Sequence, residues 1–223
     1  MTDSRETILG TIRRSLGRPK DATRPEAVEA RLADAPRGVV PERAQVPHED
    51  QIALFMEQAE GVSATVERVA EAAELPERVA AFLRERNLPP SLVHGDDPFL
   101  AELPWDRTPG LDRQRGRAEG SEQNGLSRAF GGVAETGTLV MASGPDNPTT
   151  VNFLPENHIV ALRAKDIAGD YEAVLGRVRE TYGKGHMPRV LNMITGPSRS
   201  ADIQQTLLLG AHGPRRLHII IVG

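Results

Sequence analysis

The chain has 223 residues, 39% of them hydrophobic and 26% charged, with 27 Lys and Arg against 31 Asp and Glu for a formal net charge of -4. These figures fit one substantial folded core, exclude wholesale disorder, and supply no global attraction to nucleic acid or an anionic membrane, so any anion site has to be local. With no cysteine, the chain can form no disulfide, no catalytic thiolate, and no iron-sulfur cluster or zinc site held by cysteines of its own.

Ile8, Leu9, Ile12 and Leu16 recur at helical spacing and predict a short amphipathic helix over residues 4–17. From Arg18 to Pro47 there are five prolines and little periodicity, which predicts a linking segment with one helical stretch near 26–34. The polar start Met1-Thr-Asp-Ser-Arg-Glu carries no apolar stretch of a signal peptide, and no run of about 18 apolar residues could span a bilayer. A cytoplasmic protein is therefore expected, with residues 1–47 as an N-terminal helix and proline-rich arm and residues 48–223 as an α/β domain.

Within that domain the pattern predicts a helix over 50–59, a strand over 63–69, a helix over 75–86 and a strand over 91–94. Between Leu100 and Arg128 proline, glycine and charge dominate, and only 124–130 suggests a helical turn. Beyond it come strands over 138–142 and 158–163, a long helix over 166–182, a strand over 189–194, a helix over 200–209 and a final strand over 217–222. The runs Leu139-Val-Met-Ala, Ile159-Val-Ala-Leu and Ile219-Ile-Ile-Val are unbroken rather than alternating, which predicts a largely parallel sheet covered on both faces.

Three glycine-punctuated stretches flank these strands. In Thr195-Gly-Pro-Ser198-Arg199-Ser200-Ala-Asp202 a strand is expected to end and a helix to begin, so free backbone N–H groups and Arg199 could hold a carboxylate or phosphate; the other reading is an ordinary capped helix with a solvated arginine. In Gly132-Val-Ala-Glu135-Thr136-Gly137-Thr138, Glu135 could serve as a partly desolvated general acid or base, or simply cap a helix or pair with an arginine. His212, in Gly210-Ala-His-Gly213-Pro214, could reach a ligand as base or donor, or cap a helix end. Glu156 and His158 form a further polar cluster at a strand entrance but lack a third ligand at metal-binding spacing, so no metal site is expected. Neither G-x-G-x-x-G nor G-x-x-x-x-G-K-[ST] is present.

Ala134-Glu-Thr-Gly-Thr138, Leu154-Pro-Glu-Asn-His-Ile159, Gly196-Pro-Ser-Arg-Ser-Ala-Asp-Ile203 and Gly210-Ala-His-Gly-Pro214, in this order, resemble the LUD-domain family and within it the lactate-utilization protein C branch. The resemblance implies a doubly wound α/β sheet of the NagB/RpiA/CoA-transferase-like type, and participation in a multi-protein system that oxidises L-lactate to pyruvate. It places the iron-sulfur clusters on partner proteins and none on this chain, and leaves a homo-oligomer open. Under it, Glu135 and His212 are the expected catalytic pair. Thr136, Gly137, Glu156, His158, Ser198, Arg199, Ser200, Asp202 and Gly213 are expected around a small carboxylate. Two other readings remain: a stand-alone acyl-CoA-transferase-like or sugar-phosphate-isomerase-like enzyme, since Glu135 is faintly similar to the Glu of a Glu-Asn-Gly pattern with Thr136 in place of Asn, and a non-catalytic regulatory or binding subunit.

Overall fold

The computed structural model describes residues 4–16, 23–34, 36–201 and 207–223, with side chains for all of these except 23–25, 200–201 and 207–209. The chain falls into two compact units, Met1–Val39 and Val40–Gly223. The first holds helices α1 (Ser4–Ser15) and α2 (Thr23–Asp34). Ile8, Ile12, Val28 and Leu32 are exposed on these two helices.

The second unit is built on six parallel strands in the order β1-β12-β7-β4-β2-β3. These are β1 (Thr65–Val69), β2 (Ser91–His94), β3 (Asp112–Arg115), β4 (Asn124–Arg128), β7 (Asn157–Arg163) and β12 (Arg216–Val222). Alternate side chains of the central strands feed two different cores, which is why their apolar runs are unbroken. On one face Ile159, Ala161, Leu126 and Ile220 pack with Leu75, Val79, Phe82 and Leu83 of α4 (Leu75–Glu85). On the other, Val160, Leu162, Ile219 and Ile221 pack with Ile52, Phe55 and Ala59 of α3 (His48–Gly61).

That second core is shared with a smaller sheet in the order β8-β5-β6-β9, made of β5 (Gly131–Val133), β6 (Thr138–Ala142), β8 (Ile167–Ala168) and β9 (Leu191–Ile194). Its outer face is closed by Val174 of α7 (Tyr171–Tyr182), packed with Val133 and Val140. Two short helices complete the unit, α5 (Pro98–Ala101) and α6 (Thr149–Phe153), together with a hairpin of β10 (Arg199–Ala201) and β11 (Leu207–Leu209).

The largely parallel main sheet matches the pattern of the sequence, and four local expectations do not. Residues 124–128 are a central strand rather than a helical turn; β4 has no apolar run because Gly125 lies under α6, where a Cβ would come 2.6 Å from the Val151 carbonyl. The 138–142 strand is unbroken for a different reason than parallel pairing. It belongs to the small sheet, antiparallel to both neighbours, with Leu139 and Met141 facing one core and Val140 the other. The long helix starts only at Tyr171, where the Asp170 carboxylate accepts from the Ala173 N–H at 2.9 Å, and the residues before it form β8. The helix expected over 200–209 is replaced by the β10–β11 hairpin, in which Arg199 pairs with Leu209. Its apolar spacing imitated a helix, while the Gly210 N–H bonded to the Ser198 carbonyl at 2.9 Å closes the hairpin instead.

The seam between the sheets is packed tightly at Gly132, where an added Cβ would meet Phe55 Cε2 at 2.9 Å and Leu162 Cδ2 at 3.0 Å. Gly132→Ala should therefore cost about 1–3 kcal/mol through overpacking. Combined with Phe55→Leu, which vacates that space, the double variant should be less destabilised than the sum of the single changes in urea unfolding. Strict additivity would show that the two side chains do not compete for one volume.

Candidate functional site

At the amino ends of β7 and β12 the main sheet, the end of β9 and the loops at 195–199 and 212–214 enclose a cavity of about 270 Å³. His158, Ser198, Arg199, His212 and Gly213 all line it, so motifs more than fifty residues apart in sequence meet in one place. Asn152 of α6 and Thr195 also form part of its wall.

The loops are fixed by backbone bonds. The Ser198 N–H donates to the Pro214 carbonyl at 2.8 Å, which ties the 195–199 loop to the 212–214 loop. Gly196 turns the chain at φ 79° against α3, where a Cβ would lie 2.4 Å from the Val62 carbonyl, so a side chain there is opposed by both space and torsion. Arg199 is exposed, and one of its terminal nitrogens donates to that same Val62 carbonyl. Ser198 is thus held by a loop and not by a helix start.

The buried wall is polar and ordered. The Ser127 hydroxyl donates to Asn152 Oδ1 at 2.7 Å, and Ser127 Oγ lies 3.1 Å from His158 Nε2. Because the only hydroxyl proton is directed at Asn152, Ser127 accepts from His158, which fixes the imidazole as its Nε2–H tautomer and leaves Nδ1 with a lone pair. Burial drives the His158 pKa down to about 3, so the ring is neutral at ordinary pH. Among the described residues His158 Nδ1 and Asn152 Nδ2 have no hydrogen-bond partner, although the two residues are only 1% exposed. Both residues line the cavity, and just beneath its surface one carries an unpaired acceptor and the other an unpaired donor.

The other expected residues lie elsewhere. Glu135 is buried at the β5–β6 turn, 4.0 Å from exposed Arg43, and is absent from the cavity lining, so the structure does not unite it with His212. Gly137 adopts φ 62° with its Cα against the Ala59 backbone, and Thr136 bonds Thr138 at 2.7 Å. Thr138 in turn bonds Thr195 of the cavity rim at 2.7 Å, so this motif supports the site from behind. Glu156 is exposed, and its carbonyl accepts from the Arg215 N–H at 2.8 Å. The side chain of Ser200 and the whole of Asp202 lie outside the described residues. Sequence reading missed Ser127 and Asn152, whose relation to His158 arises only when Gly125 admits α6 onto β4.

A LUD domain model matches residues 52–222. The chain belongs to the LUD domain family. It is 36% identical over 121 residues to a lactate utilization protein C of Geobacillus sp. (strain WCH70), covering 53% of this chain and 48% of that protein. It is 33% identical over 137 residues to the protein of that name in Geobacillus thermodenitrificans (strain NG80-2), covering 59% and 55%. The chain thus spans about half the length of the curated relatives it matches. The crystal structure of a DUF162 family protein from Deinococcus radiodurans shares the fold, with a TM-score of 0.60 over 80% of this chain and 99% of that one at 24% identity. Among the described residues no group of three or more His, Asp or Glu side chains is placed to hold a metal ion, and no helix is long and apolar enough to cross a membrane.

The neutral state of His158 has a pH consequence. Its folded pKa lies below the unfolded value, so between pH 6.5 and about 3 the unfolded chain binds the extra proton and stability falls as pH falls. The slope from this one group approaches about 1.4 kcal/mol per pH unit within that window. Unfolding by urea at pH 7 and pH 5 should show a smaller loss for His158→Gln than for the unmodified chain. Equal losses would mean that His158 is not held neutral.

Proposed function

We propose that the LUD unit binds a small 2-hydroxy carboxylate, L-lactate being the leading case, in the cavity beside His158, and that it acts in lactate utilization as its protein C relatives are named to do. The observation that carries this reading is the pair of unpaired buried nitrogens on His158 and Asn152, set in the same wall as Ser198, Arg199 and His212. In this reading Ser198 and the remaining N–H groups of Arg199 receive the carboxylate. Asn152 Nδ2 donates to a ligand oxygen, and the 2-hydroxyl donates to His158 Nδ1.

The same arrangement favours a hydroxy acid over its oxo acid. A lone pair on Nδ1 accepts from a hydroxyl but finds no donor on a ketone, leaving a buried acceptor unmatched. With a pKa near 3, His158 is too weak a base to take a proton at neutral pH, and His212 is the other imidazole of the cavity lining. Oxidation of lactate to pyruvate releases two electrons and two protons. In this reading the O–H and C2–H bonds break, both electrons leave to iron-sulfur partner proteins of the kind the family resemblance implies, and the two protons go to His212 and solvent.

Calorimetric titration of the purified protein with L-lactate and with pyruvate tests the reading. L-Lactate should bind more tightly than pyruvate, and Asn152→Ala or Arg199→Ala should weaken lactate by about ten- to a hundredfold, the scale of one or two hydrogen bonds to a charged or buried group. Absence of lactate binding to the unmodified protein, or binding indifferent to both substitutions, would contradict it.

A further inference from the structure

At the opposite edge of the main sheet, beyond the carboxyl ends of β2 and β3, the structure holds a groove of about 820 Å³. Its walls come from Asp96 after β2, from Arg115 to Arg117 at the end of β3, from the 143–150 segment around the start of α6, and from Arg189 and Val190 before β9. The groove thus lies at the edge of the sheet, where β3 is the last strand. Open α/β sheets take their ligands outside the carboxyl ends of their strands.

The charge of the groove is unlike that of the chain. Three arginines, Arg115, Arg117 and Arg189, line it with a single carboxylate, Asp96, which is already paired with Arg115. Among the described residues Arg117 and Arg189 make no ion pair, so two guanidinium charges stand uncompensated in a protein whose formal net charge is -4. The half-buried Asp146 carboxylate lies beside Gly144 of the lining and is not itself part of it.

The walls are preorganised. The Asp96 N–H donates to the Pro145 carbonyl at 2.9 Å, and the Gly116 N–H to the His94 carbonyl at 2.8 Å. The Ala118 N–H donates to Thr150 Oγ1 at 3.2 Å. Ser143 and Val190 exchange two bonds, the Ser143 N–H to the Val190 carbonyl and the Val190 N–H to Ser143 Oγ, both at 2.9 Å. Every segment that carries an arginine into the groove is thereby fixed to another wall, which lowers the ordering cost of binding.

We propose that this groove is a second ligand site, for a small molecule bearing a phosphate or diphosphate group, with Arg117 and Arg189 as the anion-binding residues. Two guanidinium groups without an ion pair among the described residues match a dianionic phosphate in charge better than a monoanionic carboxylate. The volume falls in the range of small-molecule sites, about 300–1,000 Å³, and is three times that of the His158 cavity. The site is independent of the lactate reading, since the two share no lining residue.

Titration of the 223-residue chain with inorganic pyrophosphate and with ADP, in low-salt buffer, tests the assignment against the double variant Arg117→Gln/Arg189→Gln. Both side chains are exposed, so the variant should keep its thermal midpoint. The unmodified protein should bind at least one of the two probes, more weakly as salt is raised, and the double variant should lose at least tenfold in affinity for it. Binding of ADP alone would assign part of the affinity to the nucleoside within the same groove. No binding of either probe, or equal binding by the double variant, would overturn the proposal.

Discussion

Strand β7 is the constraint on which the rest of this unit depends. It is hydrogen-bonded on one side to β12 along its whole length and on the other to β4, and from Asn157 to Leu162 every residue is buried. A strand so placed must send alternate side chains into two separate cores, and it cannot carry an unsatisfied polar group without a partner from a neighbouring element. At its amino end the polar groups are matched one by one. Asn157 Nδ2 donates to Asn124 Oδ1 at 2.9 Å, Arg216 donates to Asn157 Oδ1 at 3.0 Å, and Asn124 Nδ2 donates to the Ser91 carbonyl at 2.8 Å, a chain of bonds across the entrance of four parallel strands. One residue further along, His158 meets Ser127 on one nitrogen and, among the described residues, no partner on the other. The unpaired nitrogen contrasts with the paired side chains of Asn157 and Asn124 beside it.

Much of this was legible in the chain. The unbroken apolar runs of β7 and β12 announced burial on both faces, and the motifs around His158, Ser198 and His212 meet at one cavity, while the glycine-bearing stretch around Glu135 does not reach it. What misled was always a residue whose role depends on distant partners. Gly125 makes β4 look unlike a strand because its purpose is to admit α6, and the segment after Ser198 has helical spacing while the bond from Gly210 draws it into a hairpin. Glu135 drew attention as a carboxylate beside glycine and threonine. The hydroxyl chain from Thr136 through Thr138 to Thr195 is what its motif contributes, and no local pattern encodes a contact across 57 residues.

The two edges of the sheet differ in chemical character. The amino edge offers a small cavity with neutral buried nitrogens and one exposed arginine, suited to a compact ligand recognised by matched donors and acceptors. The carboxyl edge offers a larger groove ruled by arginine charge. Selectivity at the first comes from the fixed direction of hydrogen bonds, whereas binding at the second should follow ionic strength.

The most direct measurement of the central claim is the nitrogen NMR spectrum of the imidazoles at pH 7, with and without L-lactate. The account predicts that His158 is a neutral Nε2–H tautomer whose Nδ1 resonance carries the signature of a free lone pair in the ligand-free protein and moves to that of a hydrogen-bonded acceptor as lactate is added. A protonated His158, the opposite tautomer, or an Nδ1 signal unchanged at saturating lactate would contradict it.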